Sequence, residues 1–214
     1  METSWTHVLA RPAVRPLIGT PIRPNHLTAL RLLTGVGACV ALGLGSRGGM
    51  WWGGWLWLLS AFLDRADGEL ARLGNMMSPA GHRFDYLADI WVNACFFVGI
   101  GFGLRHSWLG GWSIPLGLFS GASMLALSLC SEWLEKDGGR QVLGGAWGFD
   151  PDDAFYLMAP LAWLGWLSPV LLAAGVLTPA IALVLGIRLW RRGPEPAPAP
   201  TDAVYPATRG DSRS

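Results

Sequence analysis

Four aspartates, Asp64, Asp67, Asp85 and Asp89, carry the chemistry this sequence can do. Asp64 and Asp67 stand three residues apart and Asp85 and Asp89 four apart, so on helices each pair projects from a single face. Both pairs lie at the ends of apolar runs, joined by the turn Leu73–His82, which brings them to one edge. Carboxylates at membrane depth are costly unless they are paired, hydrated or bound to metal. Four of them together would repel one another, whereas hard divalent cations accept oxygen ligands of this kind. Magnesium or manganese is the natural guest.

The neighbouring residues suit an anionic partner. Gly68 and Ala71 are small enough to let a flat or anionic group approach the helix backbone, and Gly81 permits close approach between helices. Arg72, one turn beyond Gly68, offers a planar fork of donors for phosphate oxygens. A purely structural account, with small residues for packing and aspartates as a polar lining, would need all of these to coincide by accident.

The elements that must hold these side chains read as membrane helices. The 214 residues are 51% hydrophobic and 14% charged, with thirteen tryptophans, and mean hydropathy is +0.35. A net charge of +1 gives no bulk basic field for nucleic acid. Six apolar runs approach the roughly 20 residues needed to cross a bilayer: Leu27–Leu44, Trp51–Arg72, Phe84–Leu104, Ile114–Leu134, Ala154–Leu172 and Leu177–Trp190. The last two are separated only by residues 173–176, so one long broken helix is an alternative. The expected fold is all-α, an integral membrane bundle of six transmembrane helices with a cytosol-facing active site.

Charge placement orients this bundle. Arg11, Arg15, Arg23, Arg65, Arg72, Arg83, Lys136, Arg140, Arg188, Arg191 and Arg192 fall on the edge that holds the aspartates, whereas Arg47 and Arg105 fall on the other. The positive-inside rule puts the first edge, and both termini, in the cytosol. Trp51, Trp52, Trp55, Trp108 and Trp112 gather at the opposite turns, where indoles favour the headgroup layer. Cys39, Cys95 and Cys130 read as small buried residues without metal-ligand spacing. A cleaved signal peptide is not expected, since residues 1–23 have no apolar core. That segment is a basic juxtamembrane stretch, either lying flat on the membrane or irregular because of Pro12 and Pro16. Residues 24–192 form the catalytic membrane domain, and residues 193–214, beginning GPEPAPAP, a flexible cytosolic tail.

Taken together, Asp64-Arg-Ala-Asp67-Gly68-Glu-Leu-Ala71-Arg72, eight residues, Gly81, three residues, Asp85, three residues and Asp89 resembles the signature of the CDP-alcohol phosphotransferase family, whose members are also called CDP-alcohol phosphatidyltransferases. Pro24-Asn25-His-Leu-Thr28-Ala-Leu-Arg31 is similar to that family's entry to its first span. The resemblance implies that Asp64, Asp67, Asp85 and Asp89 hold two Mg2+ or Mn2+ ions, with Asp89 also the general base on the acceptor hydroxyl. It implies that Asn25, Thr28, Gly68, Ala71, Arg72, Ser78 and Gly81 surround a CDP moiety, and that the enzyme is a homodimer in a membrane, for which a bacterial inner membrane is the simpler expectation. The reaction it implies is transfer of a phosphatidyl or other phosphoalcohol group, with release of CMP, from a CDP-linked donor such as CDP-diacylglycerol to a hydroxyl acceptor. A soluble CDP-polyol or CDP-aminoalcohol donor with a lipid acceptor is the alternative within the class, and a small metal-ion transporter the alternative outside it.

Lys136 and Arg140 could bind a phosphate on the acceptor, or could be an ordinary basic loop. Asp152 and Asp153, after Pro151, read mainly as helix caps, and His82 as interfacial filler. The DGELARL wording is closer to family members that handle inositol-phosphate-type or unassigned acceptors. The lysine that often follows the last aspartate in phosphatidylglycerophosphate synthases is Ile90 here, a departure that weakens a glycerol phosphate assignment.

Overall fold

A computed structural model describes residues 5–138 and 151–192. The described residues are helical throughout, in the order α1 (Trp5–Val14), α2 (Pro24–Gly43), α3 (Arg47–Leu73), α4 (Pro79–Gly103), α5 (Ser113–Gly138), α6 (Met158–Trp163) and α7 (Leu167–Arg192), with short 3-10 turns between some of them. Arg140 and the tail 193–214 lie outside the described residues, as does Asp150.

Each boundary has a local cause. Pro24 and Pro79 occupy the first turns of α2 and α4, where a missing N–H costs nothing. Ser46 caps α3 by accepting from the Gly49 N–H, and Ser78 caps α4 by accepting from the Gly81 N–H at 3.0 Å. After α3 the chain reverses through Asn75, in the left-handed region at φ 54, with the Gly74 and Met76 N–H groups bonded back to Leu70 and Ala71. The turn is therefore shorter than the residues 73–82 expected from sequence, and Asp85 and Asp89 sit in the second and third turns of α4.

Among the described residues, four helical stretches are long and apolar enough to cross a membrane: Pro24–Gly43, Pro79–His106, Gly110–Lys136 and Leu167–Arg191. With 27 residues, α3 is as long, and it carries the charged cluster near its C-terminal end. The expected span Ala154–Leu172 is not one helix. Pro151–Leu157 is a 3-10 helix, α6 has six residues, and the chain turns at Gly165, φ +74, before α7 begins. The expected break at residues 173–176 is absent, and α7 runs through it. In lipid a helix keeps its backbone bonds internal, so alanine and glycine at 173–175 give the chain no reason to stop, whereas the positive φ at Gly165 does.

The irregular stretch nevertheless runs the length of α3 in the opposite direction. Asp153 lies beside Arg65, the Tyr156 hydroxyl donates to the Ala61 carbonyl at 2.8 Å, Trp57 Nε1 donates to the Phe155 carbonyl at 2.8 Å, and Trp163 packs against Trp55 and Trp51 with centroids 4.9 and 5.5 Å apart. The Phe155 carbonyl is thus satisfied by a side chain of α3, as non-α backbone at membrane depth requires.

The core is aromatic and aliphatic, with Phe96, Leu42, Ile100, Leu167 and Leu171 sealed and Trp57 stacked on Phe96 at 3.9 Å between centroids. Backbone meets backbone where α4 crosses α5: a Cβ on Gly101 would lie 2.7 Å from the Ser113 carbonyl oxygen and 2.9 Å from the Gly117 Cα. Gly101→Val should therefore cost about 1–3 kcal/mol through overpacking. Thermal unfolding in detergent checks this, and an unchanged midpoint would contradict so close a crossing.

The amino-terminal segment is a docked helix. Val14 joins Ala66 and Leu70 of α3 in a small buried cluster, and α1 continues through Pro12 to Val14. Cys39 is buried and Cys95 and Cys130 half-buried, all three as free thiols.

Candidate active site

The two acidic faces turn towards each other. Asp64, Asp67 and Asp85 each offer a carboxylate oxygen, and the three oxygens lie within 4.8 Å of one another. Asp89 stands one turn beyond Asp85 on α4, outside this trio but tied to it through Arg31. The Arg31 guanidinium lies between the pairs, with Nη1 2.9 Å from both Asp64 Oδ1 and Asp85 Oδ1 and Nη2 hydrogen-bonded to Asp89. Its side chain is 4% exposed, and its backbone carbonyl accepts from the Ser60 hydroxyl at 3.0 Å.

Arg31 is the residue at the centre of the acids that sequence reasoning did not assign to the site. A lone arginine inside an apolar span, one helical turn past Thr28, was the available signal. Its burial is affordable because three carboxylates share its charge, as they in turn share its donors.

A cavity of about 210 Å³ opens beside the trio. Asn25 and Thr28 of α2, Gly68, Ala71 and Arg72 of α3, and Ser78 and Gly81 at the start of α4 all line it, so the residues grouped by sequence lie around one space. Asp67 and Asp85 supply its acidic wall. Pro24, Met76, Met77 and His82 also border it. The Thr28 hydroxyl donates to Asp67 Oδ2 at 2.7 Å, which fixes that carboxylate, and the Ser78 hydroxyl is engaged in capping α4.

Asp64 and Asp89 face a second, smaller cavity of about 30 Å³ with Arg31, Arg65, Asn93 and Tyr156. The acids therefore form a partition, with one space on each side.

Other expected residues are placed elsewhere. Lys136 pairs with Glu132 one turn earlier at 2.8 Å, is largely exposed, and borders neither cavity. Asp153 is not a solvent-facing cap: it is buried, accepts from the Thr6 hydroxyl at 2.9 Å and lies 3.5 Å from Arg65 Nη2. The reason is the docking of α1, which sequence could not foresee, since its partners lie far apart in the chain.

Comparison with known proteins accords with this geometry. The profile of the CDP-alcohol phosphatidyltransferase family matches residues 22–188, and the chain belongs to that family. The bifunctional IPC transferase and DIPP synthase of Rubrobacter xylanophilus is 34% identical over 87 residues, a match that spans 41% of this chain and 19% of that protein. The crystal structure of Mycobacterium tuberculosis phosphatidylinositol phosphate synthase (PgsA1) with CDP-DAG bound shares the fold, with a TM-score of 0.62 over 87% of this chain and 92% of that one at 16% identity.

Proposed function

We propose that this enzyme is metal-dependent and moves a phosphatidyl group from CDP-diacylglycerol to a hydroxyl acceptor, with release of CMP. One observation carries the reading: a single cavity joins the acidic wall of Asp67 and Asp85 to Arg72, Gly68 and Gly81. An acidic wall alone would repel a diphosphate, so this pairing makes sense only where cations stand between the two. The donor set fits that requirement, being oxygens from separate helices close enough to share an ion. Asp64, Asp67 and Asp85, with Asp89, would hold two Mg2+ or Mn2+ ions, which when bound neutralise the diphosphate and the departing CMP.

The remaining work falls to the chain. Arg72 orients the phosphates, the absence of side chains at Gly68 and Gly81 admits the nucleotide, and Thr28 keeps the Asp67 carboxylate aimed. Asp89 lines the smaller cavity and not the nucleotide's, and would accept the proton of the acceptor hydroxyl. The CDP-DAG in the mycobacterial structure supports a lipid donor here as well. We read the irregular stretch along α3 as the fifth of six crossings, giving an even number and both termini on the cytosolic side. A bacterial inner membrane and a homodimer belong to the same reading.

Purified enzyme with Mn2+, CDP-diacylglycerol and a panel of polyol and polyol-phosphate acceptors should release CMP, and chelation should abolish it. Release from soluble CDP-alcohols alone would replace the lipid donor. Cation flux into liposomes without any nucleotide requirement would replace the reaction altogether.

A further inference from the structure

The nucleotide-facing arginine is not held by its own helix alone. Glu69 of α3 is nearly sealed, with its side chain 3% exposed, and its two oxygens accept from different arginines: Oε1 from Arg72 Nη2 at 2.8 Å and Oε2 from Arg11 Nε of α1 at 3.0 Å. Arg72 borders the larger cavity. The three side chains thus form a line from the amino-terminal helix to the site.

The electrostatics of that line depend on Arg11. With it, the Glu69 carboxylate is shared between two guanidinium groups, and Arg72 keeps positive potential for an anion in the cavity. Without it, the buried carboxylate loses one of the two arginines that share it, and the Arg72 guanidinium is drawn back towards Glu69. Helix α1 is kept in place by other contacts, the packing of Val14 on Ala66 and Leu70 and the Thr6–Asp153 hydrogen bond, so the arginine can be removed without removing the helix.

We infer that Arg11 is a positioning residue for the donor: acting through Glu69, it sets the charge and aim of Arg72 and so the affinity of the cavity for a nucleoside diphosphate. The inference rests on the proposed reading of that cavity. It makes α1 part of substrate binding although Arg11 itself does not line the pocket.

A double-mutant cycle on the full-length enzyme tests it, with CDP binding in the presence of Mn2+ and donor KM and kcat as readouts. Arg11→Ala should weaken CDP binding and raise donor KM by about tenfold with kcat nearly unchanged, and in an Arg72→Ala background it should have little further effect. Arg11→Lys, which keeps a charged donor against Glu69, should recover most of the affinity. An Arg11→Ala effect of equal size in both backgrounds, or no change in affinity, would overturn the role given to Arg11 while leaving the pocket intact. Failure of the wild-type enzyme to bind CDP at all would overturn the pocket, and Arg11's role with it.

Discussion

Asp89→Asn should lower kcat by about 10²–10⁴-fold, the usual worth of a positioned general base, while CDP binding with Mn2+ falls by far less, because the three converging carboxylates remain. The asymmetry of the partition is the reason. Asp67 and Asp85 line the larger cavity, whereas Asp89 lines the smaller one with Asn93 and Tyr156. Its oxygen is not among the three that converge within 4.8 Å. Losing its charge should therefore weaken nucleotide binding much less than it slows the proton transfer. Asparagine keeps the size and can still accept from Arg31, so folding should survive. A parallel fall in CDP affinity would make Asp89 chiefly a metal ligand, and unchanged CMP release would remove its role as base.

Arg31→Met should be the most destabilising single change at the site. The guanidinium is 4% exposed and is the shared partner of Asp64, Asp85 and Asp89. Removing one side of a buried ion cluster leaves the others uncompensated, at a cost of about 3–5 kcal/mol, or an unfolding midpoint roughly 10 °C lower. Divalent cations should restore part of the loss, because they supply the same counter-charge, so Mn2+ should raise the variant's midpoint by more than the wild type's. Equal midpoints without metal would show that Arg31 does not hold the acids together.

The legible part of this protein was the part written in local spacing. Asp64, Asp67, Asp85 and Asp89 stand out because acids are costly beside apolar runs, and Gly68, Arg72 and Gly81 follow at helical intervals. The four long apolar helices were legible for the same reason, since length and composition alone decide whether a segment can cross. What escaped depends on partners distant in the chain. Arg31 pairs with acids more than thirty residues away, Glu69 with Arg11 across 58 positions, and Asp153 with Thr6 across 147. The stretch from Pro151 to Trp163 was unreadable as a helix for a related reason. It is held by the Trp57 indole on the Phe155 carbonyl and by the Tyr156 hydroxyl on the Ala61 carbonyl of α3, not by its own periodicity.

The central claim is that carboxylates of α3 and α4 hold cations against the diphosphate of a cytidine nucleotide. Electron-nuclear double resonance on Mn2+-loaded enzyme with CDP measures it most directly, since phosphorus couples to manganese only when the two are in direct coordination range. The account predicts phosphorus coupling in the wild type and its loss in Asp67→Asn. Manganese bound without phosphorus coupling, or coupling unaffected by that substitution, would contradict it.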